Sequence, residues 1–384
     1  MEMKKYKLGD VGEFLNGKIR PTERGIFPVY GGNGILDYCN QYNYENVIII
    51  GRVGAYCGCV SACFDKCWVS DNAIAFRPND ANDIHYLKYL LTSLNLNKKH
   101  VGAAQPLMTQ GILKSLDILL PDFKVQQKIA SALSTLDQRI ENLRAQNRVL
   151  EQTAKTIYDY TFLQCAGHQT TYNKTLNRNI PVGWEVSTIG CYIKESKGGD
   201  WGKENPEKNY NLQVSCIRGA DIEKMTDLPI RYILTKNSSK LLQEYDLVVE
   251  ISGGSPTQST GRSRLMTKEL LEMFDNKLIC SNFCQAVTMK NPQYAYYISF
   301  MWKMFYDNGI FFNFEGKTSG IKNFQLDQFV DTMWFFPDLK TVENFNAQVA
   351  PLIKKQLFNA KQIETLTTQR NTLLPLLMTG QVEV

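Results

Sequence analysis

The sequence predicts an α+β protein in which two mostly-β globular units alternate with two long helices as an internal repeat. A first observation is the phrase Leu120-Pro121-Asp122-Phe123-Lys124, which returns 216 residues later as Phe336-Pro337-Asp338-Leu339-Lys340. A second is that each copy opens a helical stretch of about 40 residues with a heptad pattern. A third is that the chain before each copy is rich in short β-branched and aromatic runs punctuated by Gly, Asn and Ser.

The repeat divides the chain into four segments. The expected boundaries are 1–121 for the first globular unit, 122–165 for the first helix, 166–336 for the second unit and 337–384 for the second helix. Within the units, the runs 46–50 and 246–250 predict strands. Helical periodicity over 84–94 and 293–306 predicts short helices that cover one side of each sheet.

Both helical stretches carry a narrow apolar seam with alternating steps of four and three residues. The seam of the first stretch contains Ile129, Leu133, Leu136, Ile140, Leu143, Leu150, Ala154 and Ile157. The seam of the second contains Val342, Phe345, Val349, Leu352, Ile363, Leu366, Leu373 and Leu377. Seams of this length favour a helix as the partner, although an amphipathic helix on a broad core face is the alternative.

Polar residues interrupt both seams. Asn147 occupies a seam position in the first stretch, and Gln356, Asn359 and Arg370 do so in the second. A polar seam residue costs stability but penalises wrong registers, so we expect Asn147 to fix the register. Pro351 predicts that the second stretch divides into a short helix that ends just before it and a kink or fresh start.

Composition excludes several classes of protein. The chain has 384 residues, of which 43% are hydrophobic and 21% charged, so it is not intrinsically disordered. No apolar run approaches the length of about 18 residues that a membrane span needs, and the amino terminus is charged, so we expect a cytoplasmic protein with no membrane partner. The net charge of +5 does not by itself indicate nucleic acid, and any basic face must come from folding.

The densest cysteine cluster, Cys57, Cys59, Cys63 and Cys67, has the wrong spacing for zinc. Zinc ligands usually come as two pairs separated by a longer loop, whereas these four fall within one apparent strand. We therefore expect reduced thiols that pack on alternate strand faces, and no metal site.

Hydrolytic and nucleotide-binding motifs are missing. None of the three histidines, His85, His100 and His168, lies in a setting typical of a nucleophile–base pair or a metal site. The phrase 316–318 imitates the end of a phosphate-binding loop, but the glycine that such a loop requires five residues earlier is Phe311.

Nuclease and methyltransferase motifs are incomplete. The pairs Glu195-x-Lys197 and Glu315-x-Lys317 lack the Pro-Asp that a metal-dependent nuclease site needs nearby. The phrase Asn291-Pro292-Gln293-Tyr294 lacks the second proline of an adenine methyltransferase motif. No catalytic residue is therefore assigned, and the predicted function is binding.

Several longer phrases, in their order along the chain, carry a resemblance to a known family. They are Leu120-Pro121-Asp122-Phe123-Lys124-Val125-Gln126-Gln127-Lys128-Ile129, Phe336-Pro337-Asp338-Leu339 and 373–380, with Tyr30-Gly31-Gly32-Asn33-Gly34-Ile35, Trp68-Val69-Ser70-Asp71-Asn72-Ala73 and 316–320 inside the globular units. Together they resemble the specificity (S) subunits of type I restriction-modification systems. The resemblance covers essentially the whole chain.

This resemblance implies two target-recognition domains, each of which reads one half of a bipartite, asymmetric DNA sequence. It implies that two antiparallel coiled-coil helices hold these domains apart around an approximate two-fold axis. It also implies partners: two modification (methyltransferase) subunits that bind S-adenosylmethionine and methylate adenine, and motor-nuclease restriction subunits that use ATP and Mg²⁺. The exposed sides of the helices around 126–137 and 348–361 would receive the modification subunits. No cofactor is expected in this chain.

Base contacts are expected from Arg, Lys, Asn, Gln, Ser or Thr side chains on loops or strands that face a groove. The candidate DNA-binding residues are Asn33, Arg52 and Gln105 in the first unit, and Arg262, Arg264, Lys317, Thr318 and Lys322 in the second. The alternative is turn chemistry for Asn33 and solvent-exposed charge for the arginines and lysines.

Two other functions stay open at this point. A coiled-coil scaffold protein without a DNA role predicts no salt-sensitive DNA binding, even with modification subunits added. A fused nuclease predicts Mg²⁺-dependent cutting by the isolated chain, and loss of cutting when Glu315 or Glu195 is changed.

Overall fold

The computed structural model describes residues 2–102, 106–255, 257–318 and 321–383, and the side chains of residues 317, 318 and 321 lie outside that description. The fold is α+β, as predicted. It has two compact units, the first formed by Met1–Leu143 with Gln362–Val384 and the second by Arg144–Lys361. Within the described ranges, no helix has the length and apolar character that crossing a membrane requires.

The first unit is built on a six-stranded sheet and a separate strand pair. Its strands are β1 (Lys4–Lys7), β2 (Gly12–Asn16), β3 (Arg24–Gly31), β4 (Gly34–Cys39), β5 (Tyr44–Gly51), β6 (Val60–Val69), β7 (Ala73–Pro78) and β8 (Asp117–Leu120). Its helices are α1 (Ile84–Ser93), α2 (Gln110–Ser115) and most of α3 (Phe123–Tyr158). The sheet order is β2-β7-β5-β6-β3-β4, and β1 pairs with β8.

The central strand β5 explains why the predicted strand 46–50 is apolar throughout. Ile48 and Ile50 face the core that includes α1, whereas Val47 and Ile49 face a second cluster on the other side of the sheet. Each of these four side chains is fully buried, and burial of one such side chain stabilises the fold by about 1.5–3 kcal/mol. The strand is therefore fixed from both faces.

The clustered cysteines are mainly core residues. Cys57, Cys63 and Cys67 are buried, whereas Cys59 is exposed. The expectation of alternate strand faces is wrong for Cys63 and Cys67, which pack in the same cluster because an even spacing on β6 directs both side chains to one face. Within the described residues, no group of His, Cys, Asp or Glu side chains is arranged to hold a metal ion.

The second unit contains three smaller sheets and two strand pairs. Its strands are β9 (Thr170–Asn173), β10 (Arg178–Pro181), β11 (Glu185–Thr188), β12 (Ile193–Gly198), β13 (Tyr210–Ile217), β14 (Ile230–Leu234), β15 (Leu247–Glu250), β16 (Ser252–Gly253), β17 (Ser263–Leu265), β18 (Leu278–Cys280), β19 (Cys284–Met289), β20 (Glu315–Thr318), β21 (Ile321–Phe324) and β22 (Met333–Phe336). Its helices are α4 (Lys268–Leu271), α5 (Ala295–Asp307), α6 (Leu326–Val330) and the first part of α7 (Leu339–Met378). The sheet orders are β12-β19-β15-β17, β14-β13-β18 and β16-β21-β20.

The strand β15 repeats the two-sided burial of β5. Leu247 and Val249 join the large aromatic core that includes Tyr297 and Trp302 of α5, and Val248 packs in a separate cluster on the other face. The short helices predicted over 84–94 and 293–306 are confirmed as α1 and α5.

The repeated Pro-Asp phrase acts as a helix cap. Asp122 Oδ1 accepts a hydrogen bond from the Val125 amide at 3.0 Å, and Asp338 Oδ1 accepts one from the Thr341 amide at the same distance. Each carboxylate satisfies an amide in the first helical turn, which would otherwise lack a partner. The recurrence of the phrase thus has a local physical cause.

The helix α7 is one element from Leu339 to Met378, so the predicted helix end just before Pro351 and the predicted fresh start there are wrong. Proline has no amide hydrogen, which leaves the carbonyl of Ala347 without its usual partner inside the helix. Both Pro351 and Ala347 are exposed, so water can hydrogen-bond to that carbonyl. A proline on the solvent side therefore costs this helix less than one on its packed side.

The polar seam residues contact one another inside the second unit. Asn147 Nδ2 donates to the Gln356 carbonyl oxygen at 3.2 Å, and Gln356 Nε2 donates to the Asn147 carbonyl oxygen at 3.1 Å. Asn359 is fully buried, and its Nδ2 donates to Asn147 Oδ1 at 2.9 Å. In the first unit, Arg370 Nη1 donates to Asp137 Oδ1 at 2.9 Å. Each polar interruption that the sequence singled out thus has a polar partner.

These polar residues have apolar counterparts in the other copy of the helix. The positions 216 residues from Asn147, Asn359, Gln356, Arg370 and Asp137 hold Ile363, Leu143, Ile140, Ala154 and Ile353, in that order. The caps and the spacing are therefore shared between the helices, but the polar positions are not.

Candidate nucleic-acid interface

Loops from distant parts of the first unit meet in one cluster, here called the loop end (residues 17–18, 31–34, 51–56, 70–72 and 106–108). The Arg52 amide donates to the Asn72 carbonyl oxygen at 2.9 Å, and the Met108 amide donates to the Arg52 carbonyl oxygen at 2.8 Å. The Ser70 amide donates to the Tyr30 carbonyl oxygen at 2.9 Å. Backbone hydrogen bonds therefore hold the loops to one another, which positions their side chains on a rigid scaffold.

Glycines permit this close approach. A Cβ atom at Gly51 would lie 2.1 Å from the Tyr56 carbonyl oxygen and 2.8 Å from that of Gly32. A Cβ atom at Gly17 would lie 1.8 Å from the Ser70 carbonyl oxygen. Only glycine fits at these two positions, because any side chain would push the loops apart.

The two phrases that resemble target-recognition domains pair with each other at this end. Strands β3 and β6 run parallel, with Val29 opposite Trp68 and Tyr30 opposite Val69. The Trp68 indole Nε1 donates to the Lys18 carbonyl oxygen at 3.2 Å. The phrases are therefore parts of one structural feature, although about 40 residues separate them along the chain.

Two of the three first-unit candidates, Asn33 and Arg52, lie at the loop end. Asn33 is exposed in the turn between β3 and β4. Arg52 is half-buried, and its guanidinium has no hydrogen-bond or ion-pair partner among the described residues. Gln105 lies outside the described residues. The structure thus brings Asn33 and Arg52 into the same cluster of loops. The Arg52 amide bonds to Asn72, and Gly51 packs against Gly32, next to Asn33.

Three further loop-end residues were not among the candidates. Lys18 and Asn72 are exposed, and half of the Tyr56 surface is open to solvent. Asn72 lies inside the phrase 68–73, which resembles target-recognition domains, and this position could have identified it as a candidate. Nothing local marked Lys18, which reaches this end because Gly17 packs against Ser70.

In the second unit, Arg262 is committed to an intramolecular ion pair. Its Nε and Nη2 donate to the two carboxylate oxygens of Glu250 at 2.9 and 2.7 Å, and Glu250 is only 2% exposed. The hydrogen bonds to Glu250 raise the pKa of the Arg262 guanidinium. The Glu250 carboxylate is enclosed by Gly219 and Gly253, where a Cβ atom would lie 2.6 and 2.5 Å from its Oε1.

Lys322 has a similar arrangement on the β20–β21 hairpin. Its Nζ lies 2.9 Å from Glu315 Oε2 and 4.8 Å from the centroid of the Phe312 ring. Glu315 Oε1 also accepts the Thr260 amide at 2.8 Å. Neither Arg262 nor Lys322 is therefore an exposed solubilising charge, which was the alternative interpretation for both.

The other second-unit candidates are spread over two sheets. Arg264 is half-buried on β17, opposite Val248 of β15, and its burial lowers the pKa of its guanidinium. Lys317 and Thr318 lie on β20, and their side chains are outside the description. Lys322 pairs across the sheet with Gly253 of β16, which connects it to the Glu250 enclosure.

The motifs that were discounted as catalytic have structural roles. The phrase 316–318 forms a strand of a hairpin rather than the strand-to-helix turn of a phosphate-binding loop. Asn291 Oδ1 accepts the Gln293 amide at 3.0 Å and so caps a short helix. Lys197 Nζ lies 3.0 Å from the fully buried Asp246 carboxylate, so Lys197 pairs with Asp246 rather than with the exposed Glu195.

The chain is similar to known proteins in sequence and in fold. A family model described as the type I restriction modification DNA specificity domain matches residues 1–152. The type I restriction enzyme MjaIX specificity subunit of Methanocaldococcus jannaschii is 25% identical over 319 residues, which cover 80% of this chain and 71% of the relative. The EcoprrI specificity subunit of Escherichia coli is 27% identical over 164 residues, which cover 40% of this chain and 41% of the relative.

A solved structure agrees with these sequence matches at the level of fold. The S subunit of the type I restriction-modification system from M. genitalium superposes with a TM-score of 0.69 over 98% of this chain and 96% of that chain, at 16% sequence identity. The likeness shows a shared fold.

Proposed function

We propose that the chain is a specificity subunit of the type I restriction-modification family and that it reads a bipartite, asymmetric DNA target with one recognition domain for each half. The relatives are specificity subunits, which are not the catalytic subunits of these enzymes. The chain accordingly determines which DNA sequence the complex recognises, and the partner subunits carry out the catalytic reactions.

The observation that carries this proposal is the loop end of the first unit. It gathers the Arg52 guanidinium, which has no partner among the described residues, with the exposed amides of Asn33 and Asn72 and with Lys18. Arginine and lysine suit the acceptor edge of guanine, asparagine suits the edge of adenine, and lysine also binds phosphate. A few such groups on one rigid edge are what sequence recognition requires.

The second recognition domain is proposed to use the surface around β16, β20 and β21. Arg262 and Lys322 are held there by buried carboxylates, and charge-assisted hydrogen bonds fix the orientation of such groups. The N–H groups of Arg262 and Lys322 that do not bond to these carboxylates would then donate hydrogen bonds to DNA in a fixed direction. Because the two domains differ in residues and in sheet arrangement, the two half-sites differ as well.

The helices are proposed to set the spacing between the half-sites. We propose recognition domains at 1–121 and 166–336, with spacer helices at 122–165 and 337–384 that pair as an antiparallel coiled coil about a pseudo-two-fold axis. Contacts inside each unit support antiparallel pairing. In the second unit Asn147 meets Gln356, and Tyr158 further along α3 meets Phe345 earlier in α7.

The partners follow from the same proposal. Two modification subunits would bind S-adenosylmethionine and methylate adenine, and restriction subunits would use ATP and Mg²⁺, all in the cytoplasm where the DNA is. The phosphate contacts of these partners would account for the modest net charge of +5 on this chain.

The complex with purified modification subunits, assayed for adenine methylation on a DNA library with random half-sites and spacers, tests the proposal. We expect methylation of one bipartite sequence. The variant Arg52→Ala should weaken binding by about 1–3 kcal/mol and relax one base position if Arg52 contacts a base. The matched control is Arg77→Ala, since Arg77 lies on the same sheet beside Glu13 and away from the loop end; it should leave the target unchanged.

The same assay separates the alternatives. A scaffold protein would give no methylation of any sequence and no salt-dependent DNA binding. A fused nuclease would give Mg²⁺-dependent cutting by the chain alone, abolished by Glu195→Gln. Methylation of no library member by an assembled complex would contradict the proposed function.

A further inference from the structure

A polar joint attaches the first globular unit to its helices. Tyr89 on α1 is 5% exposed, and its hydroxyl donates to Asp137 Oδ2 of α3 at 2.6 Å. Arg370 of α7 donates to the other oxygen of the same carboxylate at 2.9 Å. Lys88 Nζ, next to Tyr89, lies 3.6 Å from Asp137 Oδ2. One carboxylate thus joins three helices.

The electrostatics of the joint favour a charged Asp137. Burial acts to raise the pKa of this carboxyl, but the hydrogen bonds from Tyr89 and Arg370 and the charge of Lys88 outweigh burial, so its pKa lies below the usual value. Lys88 Nζ also lies 4.2 Å from the centroid of the Tyr89 ring. The donors that surround Asp137 therefore hold it in the ionised form that accepts all of their bonds.

A second attachment lies at the start of α1. Gln126, at the first turn of α3, is 2% exposed. Its Oε1 accepts the Asp83 amide at 2.9 Å, and its Nε2 donates to Asn82 Oδ1 at 3.1 Å. Two attachments on one helix, 11 residues and so about 16 Å apart, fix both the position and the rotation of α1 on α3.

Within the described part of the second unit, the positions that correspond to the Asp137 joint hold no polar contact of this kind. The residues that correspond to Asp137 and Arg370 are Ile353 and Ala154, and both pack in its apolar core. Apolar contacts tolerate small shifts, whereas a 2.6 Å hydrogen bond is lost when its partners move by about 1 Å. At this position the first unit therefore has directional bonds where the second has apolar contacts, although other hydrogen bonds, such as that from Asn346 Nδ2 to the Gln293 carbonyl oxygen at 2.8 Å, attach α7 in the second unit.

We propose that Asp137 is a positioning residue that fixes the orientation of the first recognition domain on its helix and thereby narrows the range of spacer lengths that the complex accepts. This inference rests on the proposed function. Asp137 does not contact DNA in this scheme, so it should influence the distance and rotation between half-sites but not the bases read. Adjacent spacers differ by about 3.4 Å and one-tenth of a DNA turn, so a domain that rocks on its helix would accept more than one spacer.

The first test uses the whole chain without DNA. Amide hydrogen exchange in α1 is compared for the wild type, Asp137→Ala and the milder Tyr89→Phe. The matched control is Asp117→Ala, since Asp117 forms ion pairs of 3.0 and 2.7 Å with Lys5 and Lys7 in the same unit but away from α1. We expect exchange in α1 to be about 5–30 times faster in Asp137→Ala, less affected in Tyr89→Phe and unchanged in the control.

The second test uses the complex and the methylation library. The wild type should favour one spacer over its neighbours, and Asp137→Ala should reduce that preference about tenfold while the half-site bases stay the same. A uniform loss of methylation at all spacers would mean that Asp137 only stabilises the fold, and would overturn the inference. Unchanged exchange in α1 would overturn it as well. If the wild-type complex methylates nothing, the proposed function fails, while the exchange experiment still decides whether the joint holds α1.

Discussion

Removal of the Asn147 side chain should destabilise the second unit through the groups that it leaves without partners. In Asn147→Leu, the Gln356 carbonyl loses a donor at 3.2 Å and Asn359 Nδ2 loses an acceptor at 2.9 Å. Each lost hydrogen bond costs about 1 kcal/mol, and a stranded buried polar group costs about 1–3 kcal/mol. Asn359 is fully buried and keeps only a longer bond of 3.3 Å to Gln146.

The added leucine offsets part of this loss. Asn147 is half-buried, so a leucine there gains about 1 kcal/mol of apolar burial. The net expectation is a decrease of about 2–3 kcal/mol in the free energy of unfolding. The double variant Asn147→Leu with Asn359→Leu removes both sides of the polar contact, and should lie within about 1 kcal/mol of the wild type.

Urea unfolding measures these differences, with far-UV circular dichroism for the helices and amide exchange for residues 144–158 and 339–361. Gln138→Leu is the matched control, because Gln138 is exposed on the same helix, and it should change the free energy of unfolding by less than about 0.5 kcal/mol. Two results would refute the reasoning. One is an Asn147→Leu variant as stable as the control, and the other is a double variant whose loss equals the sum of the two single losses.

Three other predictions concern the remaining charged groups. Arg262→Ala leaves the buried Glu250 carboxylate without its bidentate partner, so thermal denaturation should show a loss of about 3–5 kcal/mol, and a loss below 1 kcal/mol would contradict a buried pair. Asp122→Ala and Asp338→Ala each remove a helix cap, and each should lower the free energy of unfolding measured in urea by about 1 kcal/mol. A change close to zero in both variants would show that these caps are not formed in solution. The folded pKa of Asp137 lies below its unfolded value of 3.8, so its stabilisation is complete above that pH and lost as the pH falls through the folded pKa. The acid side of the stability curve should therefore be shallower in Asp137→Ala, and curves that run parallel from pH 7 to pH 3 would show that Asp137 makes no such contribution.

Local sequence signals predicted the features that depend on local physics. The Pro-Asp phrase recurs because its aspartate caps a helix in both copies. Asn147, which was expected to fix the register, makes a polar contact with the facing helix. The apolar runs at 46–50 and 246–250 became strands that are buried on both faces. The prediction of a helix end before Pro351 was wrong for an equally local reason. The rule that proline ends a helix does not consider whether the proline lies on the solvent side or on the packed side.

The partners of the candidate residues could not be predicted in the same way. Arg262 and Glu250 are 12 residues apart and meet only because β17 pairs with β15. Lys18 reaches the loop end only because a glycine allows β2 to approach the turn at Ser70. These contacts depend on strand pairing and on the close approach of backbones. They cannot be read from the composition or from spacing along the chain.

The exchange of polar for apolar residues between the two helix copies affects what a gene rearrangement could produce. A chain assembled from two copies of the first half would bring Asp137 against Ala154 and Asn147 against Ile140 and Leu143, which offer no hydrogen bonds. A chain with two copies of the second half would bring Arg370 against Ile353 and Asn359 against Ile363. Buried polar groups without partners cost several kcal/mol in total. The pairing of one half of each kind keeps the contacts of Asp137 with Arg370 and of Asn147 with Asn359. Recombination that swaps recognition domains is therefore tolerated by the helices, whereas duplication of either half is penalised.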